Sequence, residues 1–250
     1  FAIQDEISLG VVNNLRLKLG RGRRRYETSI EAYDSYLRAR SLNPIPSIEP
    51  LEQVITKDPL FAPAYAGLAS AYAFRSVQFP VDHSDDELSK MRAAAERAIQ
   101  LDPLLAEAHE ALALAYARDG NWIQAEESFR RAIELEPNRP ETHANFGYWV
   151  LAVLGRLDDA REQLLLAQQI DPLSPSVPRF LPDVLISLGQ YEEAAAYCEQ
   201  MPAKHPLKTP YLARAELGRG RISEAIRLAA EGRTSNNPLI RGFTGYIYAR

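Results

Sequence analysis

Two kinds of punctuation recur along this chain with a shared period. Prolines close successive segments at Pro59, Pro103, Pro137, Pro172, Pro206 and Pro238, spaced 44, 34, 35, 34 and 32 residues apart. Between them, Gly120, Gly155, Gly189 and Gly220 recur at 35, 34 and 31 residues. A period of this size marks one supersecondary unit, and such a unit buries its apolar face only by stacking on its neighbours. The chain is therefore expected to form an array and not a single-core globule.

Each unit reads as a pair of helices. In "AEAHEALALAYARDGNWIQAEESFRRAIELEP" (Ala106–Pro137) helix A is expected over Ala106–Arg118 and helix B over Trp122–Leu135, each about 20 Å long. Gly120 falls in the turn between them, where a positive φ costs glycine little. Pro137 ends helix B, because the residue before a proline is pushed out of the α region. Leu112, Ala113 and Tyr116 share one face of helix A, and Ala125, Phe129 and Ala132 share one of helix B. The alanines let the two axes approach, while Tyr116 and Phe129 fill the groove. Leu and Ala dominate the composition, which favours helix throughout.

These residues resemble the tetratricopeptide repeat. The pattern Leu112, Ala113, Tyr116, Ala125, Phe129, Ala132 and Pro137 returns one unit on as Phe146, Gly147, Val150, Ala160, Leu164, Ala167 and Pro172. The resemblance implies an all-α fold, a right-handed α-solenoid (superhelix) of helix-turn-helix repeats. On this register residues 1–25 are an N-terminal helix and basic linker, and 26–61 a degenerate first repeat. A repeat with about ten inserted residues follows at 62–105, then repeats at 106–139, 140–174 and 175–208. A short degenerate repeat (209–237) leads to the first helix of a truncated one (238–250). The leading "FAIQDEISLGVVNNLRLKLG", apolar at Ile3, Ile7, Val11, Leu15 and Leu19, does not fit the period. It resembles the stretch before such arrays in large bacterial signalling proteins, with a TolB-like region and a cyclase, kinase or winged-helix DNA-binding domain upstream. Because the chain starts at Phe1, it is expected to be a piece of a longer protein.

Side chains capable of chemistry take structural readings. No Walker loop, G-x-S-x-G elbow, H-E-x-x-H or paired-cysteine spacing is present, so neither an enzyme nor a cofactor is expected. His109 and His143 occupy the same place in successive units, as does Tyr65 before them, which favours packing over a metal pair. Cys198 stands where Phe129 and Leu164 stand, and reads as a small buried hydrophobe. One cysteine also excludes an internal disulfide and points to a reducing compartment, here read as cytoplasmic. Trp122 aligns with Tyr191 and Ile222 as packing, while the role of Trp149 is open. "VDHSDDE" (Val81–Glu87) offers Asp82, His83, Asp85 and Asp86 as ligands, but a capping box of Ser84 and Glu87 is the preferred reading. The arginines of Arg21–Arg25 lack interleaved aromatics, and a solvated linker is preferred to a nucleic-acid contact. Residues 1–40 carry eight basic and five acidic side chains, leaving 21 basic and 28 acidic beyond them. That mildly acidic body argues against a nucleic-acid partner, and no apolar run is long enough for a membrane span.

The partner implied by the resemblance is a protein or peptide, because the family lines its concave wall with helix A. Carried over position by position, the wall takes Glu107, Glu110 and Leu114 from one unit, preceded by Ala66 and Ser70. Glu141, Ala144, Asn145 and Tyr148 come from the next, then Arg179 and Asp183, and Arg214 beyond. Its middle is acidic, which suits a basic or amphipathic peptide. The family's carboxylate clamp is not expected, since Glu110, Leu114, Ser176 and Phe180 depart from its pattern and Asn145 alone conforms. Ligand sensing for an upstream domain and self-association are the alternatives to peptide binding.

Overall fold

The computed structural model describes residues 28–42, 46–78, 84–232 and 238–249, without the side chains of 76–78, 84–86, 232, 238 and 239. The expected leading helix, the Arg21–Arg25 run and Val81–His83 lie outside the described residues. All regular structure among the described residues is helical. The chain divides into two compact units between Ala115 and Tyr116.

The first unit holds α1 (Ile30–Ser41), α2 (Ile48–Lys57), α3 (Ala62–Gln78), α4 (Ser84–Leu101) and most of α5 (Ala106–Arg118). Ser29 caps α1 by accepting from the Ala32 amide at 3.1 Å. Helix α2 has only 10 residues, because "NPIPS" delays its start with two prolines. The inserted residues of the next hairpin mainly lengthen its helices: α3 has 17 residues and α4 has 18, against 13 in α5. No glycine or proline interrupts Ala64–Gln78 except Gly67, so α3 runs on until "FP" at Phe79–Pro80. Glu87 is buried and paired with Arg75, which joins the two long helices. Ser84, the other half of the expected cap, has no described side chain. The core joins Leu51, Val54, Phe61, Tyr72 and Met91 to a run of buried alanines. The Tyr36 ring meets Phe61 edge-on at 5.0 Å, an arrangement favoured by the ring quadrupoles.

The second unit continues with α6 (Trp122–Leu135), α7 (Pro140–Phe146), α8 (Leu157–Ile170) and α9 (Ser176–Ser187). It ends with α10 (Tyr191–Gln200), α11 (Lys208–Gly218), α12 (Ile222–Gly232) and α13 (Pro238–Tyr248). Phe129, Ala132, Val150, Ala160 and Leu164 are fully buried, and each large apolar side chain removed from water contributes about 1.5–3 kcal/mol. Helix α7 is extended by one turn of π-helix, Gly147–Ala152. At Gly147 a Cβ would lie 2.9 Å from the Ala160 carbonyl oxygen of α8, so this helix pair packs at a distance that glycine alone permits.

The turn glycines share one geometry, with φ of +74° at Gly120, +76° at Gly155, +75° at Gly189 and +77° at Gly220. The Gly155 amide donates to Ala152 at 3.1 Å and the Arg156 amide to Leu151 at 2.9 Å. This is the Schellman closure, which satisfies carbonyls that the helix end leaves open. The Gly120, Gly189 and Gly220 turns repeat both bonds.

The prolines at the unit junctions are held in a second repeating way. Asp58, Asp102 and Asp171 each accept, through Oδ1, the amide two residues on, at 2.9–3.0 Å. The Tyr65 hydroxyl donates to the Pro59 carbonyl at 3.2 Å. His109 Nε2 bonds the Pro103 carbonyl at 2.9 Å, and His143 Nε2 bonds that of Pro137 at 2.8 Å. The buried His143 also faces the Gln163 side chain at 2.7 Å. The two imidazoles thus serve the junctions, and no cluster of three or more metal-ligating side chains occurs among the described residues.

Cys198 is fully buried among Met201, Leu207 and Tyr211, and burial pushes its thiol up to about 12. The folded chain should therefore resist a thiol reagent at mildly alkaline pH and react once denatured; fast labelling of the native chain would contradict this placement. Gly155→Ala should lose about 1–2 kcal/mol by forcing a Cβ into the left-handed region. That loss would be read as a lower denaturation midpoint at unchanged slope.

Candidate protein-binding surface

In the second unit, the A helices of successive hairpins bring matching positions side by side. Tyr148 on the π turn, Asp183 on α9 and Arg214 on α11 hold the same place in their repeats, and they bond in series. The Tyr148 hydroxyl donates to Asp183 Oδ2 at 2.8 Å, and Asp183 Oδ1 pairs with Arg214. One carboxylate thus accepts from a neighbour on each side. Burial, followed by the Asp183 charge, pushes the Tyr148 hydroxyl well above the usual tyrosine range, which keeps it a donor.

Aromatic rings back this polar row. Tyr148 stacks on Phe180 with centroids 4.3 Å apart and planes inclined by 13°. Trp149 stands edge-on to Tyr148 at 4.9 Å and to Phe180 at 5.9 Å. The Arg179 guanidinium lies over Phe180 at 5.5 Å, and that of Arg214 lies over Phe243 at 4.8 Å. Tyr211 is buried, and its hydroxyl donates to the Arg179 carbonyl at 2.7 Å. Such cation–π contacts contribute about 0.5–2 kcal/mol each and hold planar guanidinium groups in place. Tyr148, Trp149, Arg179, Asp183 and Arg214 each keep part of their surface open.

The remaining residues expected on the wall are placed less openly. Glu141 and Asn145 are half-buried in the second unit, and Ala144 is fully buried. In the first unit Glu107 and Glu110 are buried, and Glu107 is paired with Arg40 of α1. Leu114 packs partly buried against the first unit's core, and Ala66 is fully buried. The acidic character expected of the wall is reduced accordingly. Sequence reasoning missed Arg40 as the partner of Glu107, and Phe180 and Tyr211 as backing rings. Opposite charges at Asp183 and Arg214, in one register of adjacent units, were the available signal for the polar row.

Because Tyr148 and Arg214 share Asp183, their contributions should not add. Tyr148→Phe alone is expected to cost about 1 kcal/mol, and its cycle with Arg214→Gln should show a coupling of roughly 0.5–3 kcal/mol. Additive losses in chemical denaturation would show that the carboxylate is not shared.

Residues 106–139 match the family model described as tetratricopeptide repeat. No curated protein sequence matches the chain. Among solved structures, PilF of Pseudomonas aeruginosa is 22% identical over 77% of this chain and 86% of its own, with a TM-score of 0.57. A thermophilic tetratricopeptide protein of Thermus thermophilus is 20% identical over 74% of this chain and 95% of its own, at 0.59. Yeast Tom70 is 16% identical over 87% of this chain, which spans 46% of Tom70, at 0.58. The chain thus carries a tetratricopeptide repeat at residues 106–139 and shares the all-α solenoid fold of these proteins.

Proposed function

We propose that the chain is a non-catalytic scaffold that holds an amphipathic peptide segment of a protein partner on the A-helix face of its second unit. The observation that carries this reading is the partly buried aromatic cluster of Tyr148 and Trp149 on Phe180, set beside Asp183 and Arg214. Rings and charged groups held by one another lose little freedom when a partner arrives, so less binding energy is spent on ordering them. Exposed charge pairs contribute only about 0–1 kcal/mol, so the rings must supply most of the affinity. A basic segment is the weaker form of this proposal, because Glu107 is already engaged by Arg40 and Glu110 is buried. The side chains suited to catalysis have structural duties: His109 and His143 at junction carbonyls, Cys198 in the core. No helix among the described residues is long and apolar enough to cross a membrane. A regulatory role in a bacterial cytoplasmic signalling protein rests on the leading segment's resemblance and belongs to the same proposal.

The test is selection of peptides from a random display library, followed by titration against Trp149→Ala. Loss of an aromatic anchor should weaken the selected peptides by roughly 30-fold or more, with the thermal midpoint little changed. Undiminished affinity in that variant would place the docking surface elsewhere.

A further inference from the structure

The last hairpins of the second unit enclose a cavity of about 260 Å³ that the docking reading does not use. It is lined by α11, α12, α13 and the segment joining α10 to α11, and it shares no lining residue with the Tyr148–Phe180 wall. Its floor is apolar: Pro210, Ala213, Leu228, Ala229, Ile240 and Ile247 are all buried. Thr244 is buried there too, but its hydroxyl already donates to the Ile240 carbonyl at 2.9 Å. The floor therefore suits hydrocarbon. An apolar cavity of about 150 Å³ accepts benzene, so this one has room for a ligand of about ten heavy atoms.

The polar groups stand at the mouth, and they carry donors. Lys204 lines the cavity and is exposed, and its ammonium has no hydrogen bond or ion pair among the described residues. The Leu207 amide donates to His205 Nδ1 at 3.3 Å, so the neutral imidazole keeps its proton on Nε2. Burial holds that imidazole below its usual range, which makes it a neutral donor near pH 7. The acid on the rim, Glu231, is paired with Arg227 at 3.5 Å. One available positive charge with one N–H beside it matches a carboxylate, whereas a phosphate dianion would keep a charge unmatched. Holding the charge at the mouth also avoids the cost of burying an ion against an apolar floor.

We propose that this cavity binds a small amphipathic monocarboxylic acid, with its hydrocarbon body on Leu228, Ile240 and Ile247 and its carboxylate at Lys204 and His205 Nε2. The inference goes beyond the peptide-docking reading and stands without it, because the two sites use different side chains. A pocket with mostly apolar walls and a few placed polar groups is the usual form of a small-molecule site. Since the acid would touch three helices at once, its binding stabilises the folded chain by mass action.

The experiment titrates the full chain with octanoate, and with octylamine and 1-octanol as controls of the same tail, following the methyl resonances of Leu228, Ile240 and Ile247. Octanoate should saturate a single site about tenfold more tightly than either control and raise the thermal midpoint. Cross-relaxation between the octanoate chain and the Ile247 methyl groups should place the tail on the floor. Lys204 is exposed, so Lys204→Ala should leave the midpoint of the free chain unchanged while weakening octanoate roughly fivefold. Lys204→Arg should retain most of the affinity. Octylamine binding as tightly as octanoate, or octanoate affinity unmoved by Lys204→Ala, overturns the carboxylate assignment. No saturation in the millimolar range, or cross-relaxation with Trp149 in place of Ile247, overturns the site itself.

Discussion

The structure depends on how closely two helices of one hairpin can approach. Where α7 meets α8, the space left for a Cβ at Gly147 ends 2.9 Å from the Ala160 carbonyl oxygen, and Ala160 itself is fully buried. Buried alanines such as Ala125, Ala194 and Ala225 stand at the corresponding places in other hairpins. Small residues on one face let the axes close, and Phe129, Leu164 and Cys198 then fill the groove. The glycine turns make that approach possible by reversing the chain in a few residues with their carbonyls satisfied. Surface ion pairs, including Arg156 with Glu126 at 3.0 Å and Arg161 with Glu193 at 3.1 Å, tie neighbouring hairpins in addition. They are partly exposed and contribute far less than the buried apolar side chains.

With the hairpins fixed, equivalent A-helix positions line up, and side chains at one register become neighbours although they are over 30 residues apart in sequence. Tyr148 reaches Asp183 across 35 residues and Arg214 reaches it across 31. Repetition thus assembles a site from residues that carry no local motif. In the first unit a pair forms between unlike positions: Arg40, in the last turn of α1, reaches Glu107, in the first turn of α5, across 67 residues.

What the sequence could reveal follows from this division. The hairpins were legible because glycine, proline and alanine act locally: Gly120, Gly155, Gly189 and Gly220 mark turns by a φ that other residues avoid. The packing role of His143 was legible from its register with Tyr65 and His109. The pairing of charges was not, because it depends on which side chains cross between hairpins. Glu107 and Glu110 sit at positions that face a wall in the repeat pattern, yet they are buried here and Glu107 meets Arg40. The insertion at 62–105 was visible as a length, but its absorption into α3 and α4 followed from the scarcity of breakers before Pro80.

The junction prolines are not all held alike. Tyr65, His109 and His143 grip the carbonyls of Pro59, Pro103 and Pro137, and Lys208 Nζ reaches the Glu199 and Met201 carbonyls at 2.8 and 2.7 Å. After Pro172 the matching residue is Pro178, which has no side-chain donor to give. The hairpins on either side of the α8–α9 joint are bridged by the Tyr148–Phe180 stack and the Tyr148–Asp183 bond. Anything that settled on those rings would touch the same contacts that join these two successive hairpins.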